Sequence, residues 1–202
     1  MRTNIFWLPA FSKKLIIITA PSGAGKTSVT KYLLTKMPEL AFSVSITTRK
    51  PRIDETNGVD YYFVSEEEFH QKIREDAFIE WEMVYEGKYY GTLKTELERI
   101  WTQEKIPLLD IDVKGAIRVH EQFDENCLTI FIEPPSVEEL QKRLTARGTE
   151  SLESIQTRLD KAKYELSFRH SFNEIIVNDV LQDACEKTER VVRDFLGIQV
   201  DS

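Results

Sequence analysis

Residues 15–27 read LIIITAPSGAGKT. The apolar, mostly β-branched run at its start is too short for a helix and is bounded by Pro and Gly. It predicts a strand buried on both faces of a parallel sheet. Ala20-Pro21-Ser22-Gly23-Ala24-Gly25-Lys26-Thr27 then fits the phosphate-binding loop pattern, with Ala at its first position in place of Gly. Ala serves there if its φ stays negative. Gly23 and Gly25 let backbone N–H groups turn around a phosphate where Cβ atoms would crowd it. Lys26 supplies a point charge, the Thr27 hydroxyl a ligand for Mg²⁺, and a helix starting near Gly25 aims its positive dipole end at the same anion. The stretch predicts binding of a nucleoside triphosphate.

Outward from the loop, apolar runs and amphipathic segments alternate. Helical patterns cover 25–36, 94–104, 114–122, 151–169 and 180–196, and strands cover 106–112, 128–133 and 174–179. Ser65 with Glu68, and Ser136 with Glu139, form capping boxes that open helices through about Arg74 and Ala146. This rhythm predicts a three-layer α/β/α domain on a mostly parallel central sheet. A short strand within 41–52 breaks at Pro51, and residues 45–92 interrupt the rhythm with short aromatic strands, including 61–64 and a hairpin over 78–92, which predicts an inserted β-rich subdomain. The Arg-bearing helices of 136–169 predict a lid. The expected partition is a domain over 13–196, with core 13–44, 93–135 and 170–196, after an extension of residues 1–12 that covers an apolar patch.

The 202 residues carry a net charge of −7, with 41% hydrophobic and 30% charged residues. That balance argues against a general nucleic-acid binder. No run approaches a membrane span, and the N-terminal segment lacks a cleavage signal. Cys127 and Cys185 are far apart, predicting reduced thiols in a cytoplasmic protein. His70, His120 and His170 are isolated and predict no metal site.

Asp110 ends the strand IPLLD, where an open α/β sheet faces its ligand, and there it suits Mg²⁺ or its water. Arg49 and Arg52 flank Pro51, and two guanidinium forks suit a phosphate, which Arg takes bidentately. Taken alone, these arginines read as solvated surface, Tyr61 and Tyr90 as packing aromatics, and Arg143, Arg147 and Arg158 as a charged helix face. Strand alternation sets Glu80 opposite Ile79 and Trp81, which predicts an exposed carboxylate.

APSGAGKT, SITTRKPR, NGVDYYF, FIEW, YYGT, LDID, PPS and RGTE occur here in the order that they have in guanylate kinases, over about residues 13–196. The chain resembles that family. The resemblance implies a phosphate-loop kinase that transfers the ATP γ-phosphoryl group reversibly to GMP, and to dGMP, with Mg²⁺, in purine nucleotide metabolism. It implies ATP and GMP as partners and a monomer or homodimer. It makes Glu80 the acceptor for guanine N1–H and the 2-amino group, with Ser45, Thr92 and Asp112 beside the base. Arg49, Arg52, Tyr61 and Tyr90 become the GMP phosphate clamp, Arg143, Arg147 and Arg158 the lid arginines on the ATP phosphates, and Asn178 an adenine-side contact. Lys26, Arg49, Arg143, Arg147 and Arg158 are the implied catalytic set, and Thr27 with Asp110 the Mg²⁺ site, partly through water. Thr92 stands where some members carry Ser. A phosphate-loop kinase of a phosphorylated sugar such as ribose 1,5-bisphosphate needs no guanine reader, so Glu80 counts against it. A non-catalytic module of the same fold that binds phosphorylated protein segments tends to lose the loop, and this chain keeps Lys26, Thr27 and Asp110.

Overall fold

The structure, a computed structural model, describes residues 13–146 and 152–198. The expected first strand, β1 (Leu15–Thr19), lies at the centre of a five-stranded sheet. Its neighbours are β7 (Ile106–Asp110) and β8 (Cys127–Glu133), with β2 (Leu40–Phe42) outside β7 and β9 (Glu174–Val177) outside β8. All four pairings are parallel. Alternation along β1 divides the core. Ile16 and Ile18 meet Val29 and Leu33 of α1 (Lys26–Lys36) and Val192 and Leu196 of α7 (Leu181–Leu196). Leu15 and Ile17 meet Leu97 of α3 (Lys94–Thr102) and Ala116 and Val119 of α4 (Val113–Phe123). These β1 side chains are fully buried on both faces, and each contributes on the order of 1.5–3 kcal/mol. The three expected layers follow from that division.

A second sheet has the order β4–β3–β6–β5, from β4 (Tyr62–Phe63), β3 (Ile46–Thr47), β6 (Lys88–Leu93) and β5 (Phe78–Tyr85). It has its own small core, where Phe69 of α2 (Glu66–Arg74) stacks on Phe78 with ring centroids 4.6 Å apart and packs on Ile46. Helix α2 opens on the expected capping box of Ser65 and Glu68. Helices α5 (Val137–Ala146) and α6 (Leu152–Leu166) share a third cluster of Leu140, Leu144, Ile155, Leu159 and Ala162.

Three expectations change. Residues 41–52 do not form one strand: β2 and β3 belong to different sheets because the backbone changes partners between them. Ser43 N–H bonds to Leu108 O, Val44 N–H to the buried Glu96 carboxylate, and Ser45 O accepts from Tyr62 N–H. Helix α6 stops at Leu166, before the expected residue 169, as Ser167 and Phe168 tighten to i→i−3 bonds. At the second expected capping box, Ser136 Oγ does accept from Glu139 N–H, at 3.1 Å, but the Glu139 carboxylate is engaged by Arg143 at 3.3 Å. The proposed extension, residues 1–12, lies outside the described residues.

Candidate active site

The turn after β1 is held by its own backbone, with Ala24 N–H on Pro21 O at 3.0 Å. Gly23 and Gly25 have φ of +96° and +99°, which L side chains adopt only with strain. Gly25 is also crowded, since a Cβ there would lie 2.1 Å from Asn178 Nδ2. Ala20 is not among the described residues with positive φ, so Ala satisfies the geometry that its position requires. Lys26 begins α1 and forms an ion pair with Asp110 at the end of β7. Burial alone would lower the ammonium pKa, but the Asp110 charge and hydrogen bond outweigh it and the net shift is upward. Lys26 therefore stays charged. Thr27 is exposed in the first turn, where backbone N–H groups lack helical partners.

Lys26, Tyr61, Val84 and Asp112 line two adjoining cavities, making one cleft. The first cavity runs from Lys26 to Glu80 under Ser45, Tyr90 and Gly91, and the second surrounds the loop from Ala20 to Ser28. Glu80 is 6% exposed, against the expectation from alternation. A register shift in the β5–β6 pairing between Phe78 and Glu80 breaks the strict alternation. Strand β5 also packs on α4, where Gln122 donates to Ile79 O at 3.0 Å and Arg118 to Trp81 O at 2.8 Å. Glu80 therefore faces the interior next to Gly115, at which any Cβ would lie 2.6 Å from Glu80 Oε2. Thr92 Oγ1 donates to Glu80 Oε1 at 2.8 Å. Burial pushes the Glu80 carboxyl up to about 7, against the hydrogen bond from Thr92 and with help from the Asp112 charge. Asp112 caps α4 by accepting from Gly115 N–H at 2.9 Å.

The other expected residues fall as follows. Ser45 is buried in the first cavity. Arg49 sits 4.8 Å from the centre of the Tyr61 ring, and its Nε donates to Tyr90 Oη at 3.1 Å. Its Nη1/Nη2 fork is held by Glu55 through two bonds of 2.6 Å, so that edge does not face the cleft as a free bidentate clamp. Arg52 has an exposed side chain and its backbone N–H also bonds to Glu55, at 2.8 Å. Burial and the Asp110 charge push the Tyr61 hydroxyl pKa up, so it remains a donor. Arg158 Nη1 donates to Ser22 Oγ in the loop at 3.0 Å, and Arg143 Nη2 reaches Asp179 O at 3.5 Å. Arg147 lies outside the described residues. Asn178 is 3% exposed and donates to Ala24 O at 2.7 Å, so it braces the loop and reaches a base only by giving up that bond.

Sequence reasoning missed Glu55, Gly115, Lys161 and Glu165. Lys161 and Glu165 follow Arg158 on α6 at i+3 and i+7, one helix face, and both line the loop cavity. That spacing was a readable signal. Glu165 is 7% exposed and burial raises its carboxyl pKa. Among the described residues no three His, Cys, Asp or Glu side chains cluster to hold a metal ion, and no helix is long and apolar enough to cross a membrane.

The guanylate kinase family model matches residues 12–195. A guanylate kinase of Porphyromonas gingivalis is 48% identical over 185 residues, 91% of this chain and 98% of that protein. One from Bacteroides fragilis is 43% identical over 188 residues, covering 93% and 92%. The crystal structure of guanylate kinase from Anaplasma phagocytophilum superposes with a TM-score of 0.72 at 31% identity, covering 90% of this chain and 85% of that one.

Proposed function

This chain belongs to the guanylate kinase family, and on that premise we propose that it transfers the γ-phosphoryl group of ATP reversibly to GMP, and to dGMP, giving ADP and GDP. The observation that carries the acceptor is Glu80, a buried carboxylate at the end of a cavity that begins at the loop lysine. Guanine presents donors at N1 and the 2-amino group, which satisfy that carboxylate. Adenine has an acceptor at N1 and no 2-amino group, and would leave Glu80 desolvated and unpaired. Sites of this kind reject such analogues by roughly 10⁴–10⁵. Thr92 fixes the Oε1 direction, and Ser45 and Asp112 border the base.

The acceptor is already an ionised phosphate at neutral pH, so the reaction needs no base. Its difficulty is the approach of two anions. Lys26 and Arg158 address the donor phosphates from the loop and α6, Arg143 adds a charge from α5, and the RGTE motif assigns Arg147 the same role. Arg49, Arg52, Tyr61 and Tyr90 hold the acceptor phosphate, and together these groups align the transfer and offset the repulsion. The Thr27 hydroxyl and the Asp110 carboxylate are hard oxygens at the loop mouth and the adjacent strand end. They fit Mg²⁺, which keeps several waters and takes only one or two protein oxygens beside phosphates. When bound, Mg²⁺ would neutralise charge on the donor phosphates. Asp110 is free for that role once Lys26 turns from it to the phosphates.

A coupled assay of ADP formation with GMP, dGMP, AMP and UMP in parallel tests the reading. Activity on the guanine nucleotides alone is expected, and equal turnover of AMP would overturn it. The pH profile is a second test. With Glu80 near 7 in the free enzyme, kcat/KM for GMP should fall about tenfold per pH unit below 7, as the carboxyl takes a proton and ceases to accept. Bound guanine holds Glu80 ionised, so kcat should stay level down to about pH 6, where the GMP phosphate itself protonates. A kcat/KM that is flat between pH 6 and 8 would remove Glu80 from base recognition.

A further inference from the structure

We propose that Glu55 is the positioning residue of the acceptor-phosphate clamp, acting through Arg49; this rests on the GMP reading above. Arg49 has five N–H bonds in a rigid plane. Nη1 donates to Lys50 O at 3.0 Å and to Glu55 Oε2 at 2.6 Å, and Nη2 donates to Glu55 Oε1 at 2.6 Å. Glu55 therefore grips the Nη1/Nη2 edge bidentately, the strongest pairing that a guanidinium makes. The adjacent Nε/Nη2 edge is left to carry Tyr90, whose oxygen accepts from Nε while its own proton stays available. One Nη2 N–H and the Tyr90 O–H thus lie on the same edge, and the Tyr61 ring supports the guanidinium face. A phosphate of a nucleoside monophosphate is met by that edge, with Glu55 still in place behind it.

Glu55 also orders the loop that carries the clamp. Its Oε2 takes the Arg52 N–H at 2.8 Å, and Glu55 N–H returns to Arg52 O at 3.2 Å, so one carboxylate ties Arg49 and Arg52 into a single turn. The pairing with Arg49 draws the Glu55 carboxyl below its ordinary range, which keeps it ionised through the working pH. Without that carboxylate the guanidinium is free to rotate about its long side chain, and the edge presented to the phosphate is no longer defined.

The test compares GMP with guanosine, which shares the base and lacks the phosphate. Calorimetric titration of the wild type, Glu55→Gln and Glu55→Ala with each ligand separates the two halves of the site. Both variants should bind GMP about 10–100-fold more weakly, the range for losing charge-assisted hydrogen bonds, and bind guanosine and ATP as the wild type does. KM for GMP should rise by the same factor with kcat changed only a few-fold. In an Arg49→Lys background, Glu55→Gln should add little, because its effect passes through the guanidinium. Unchanged GMP affinity in the Glu55 variants would overturn the proposal, as would parallel losses for GMP and guanosine, or additive losses in the Arg49→Lys background. Tighter GMP binding would overturn it in favour of a carboxylate that merely competes with the phosphate. A wild type that binds neither GMP nor guanosine would instead refute the GMP reading itself.

Discussion

Glu80→Gln should lower kcat/KM for GMP by roughly 10²–10⁴ and leave KM for ATP nearly unchanged. Gln fills the same space and can still accept from Thr92, but it turns an amide donor toward the donors of guanine. Two charge-assisted bonds of about 1.5–3 kcal/mol each are lost, which sets the range. Steady-state kinetics with each substrate varied in turn decides it, and an unchanged preference for GMP would remove Glu80 as the reader. The same variant should be more stable than the wild type at alkaline pH. The folded-state carboxyl pKa is raised from the ordinary 4.5 to about 7, so folding favours the protonated form. Glu80 burial is least unfavourable below pH 4.5, and stability is lost as pH rises through 7. By pH 8 the penalty is roughly 3 kcal/mol, at 1.36 kcal/mol per unit. Glu80→Gln removes it and should raise Tm at pH 8 by roughly 5–10 °C, with the gain vanishing toward pH 4.5. Thermal melts at both pH values check the sign. The buried Glu80 carboxylate is thus a stability cost at a cavity-lining position, as expected where a residue is kept for function rather than for folding.

Lys26→Ala should reduce kcat about 10³-fold or more while the protein stays folded. The ammonium is the charged group at the loop itself, and its contribution is largest when charge shifts between donor and acceptor phosphates. Its removal also leaves Asp110 without its ion-pair partner in the nucleotide-free protein. The side chains of that pair are about one-fifth exposed, so water can solvate the remaining carboxylate. Single-turnover phosphoryl transfer, with circular dichroism as a fold control, distinguishes loss of chemistry from loss of structure. Normal turnover in this variant would refute the assignment of the loop. Arg49→Lys, already part of the Glu55 test, should affect GMP and spare ATP, the opposite half of the same cleft.

Local chemistry made much of the fold readable. Leu15–Thr19 is apolar on both alternating faces, and that is what a strand between two helical layers requires. Gly23 and Gly25 announce positive φ, Ser65 with Glu68 announces a helix start, and Gly87, at φ +66°, turns the β5–β6 hairpin. These signals lie within a few residues of what they determine. The order of motifs from APSGAGKT to RGTE carried the family in the same way, because it needs no contact to be seen.

Tertiary structure decided the rest. Alternation gave Glu80 the wrong face, since it is set by a register shift in the pairing of β5 with β6 and by the packing of α4, whose Arg118 and Gln122 lie 37 and 43 positions from their partners. Glu55 looked like one acid in a polar loop until Arg49 folded back on it. Asn178 lies 154 residues from Ala24, and no periodicity links them. By itself the sequence determined which groups are available: a Gly-rich loop with a lysine, a carboxylate between apolar neighbours, arginines for charge. Which edge of Arg49 is taken by Glu55, and that the Glu80 carboxylate is buried, depended on long-range packing. Burial and hydrogen-bond direction are properties of the assembled layers, and no single stretch of chain contains them.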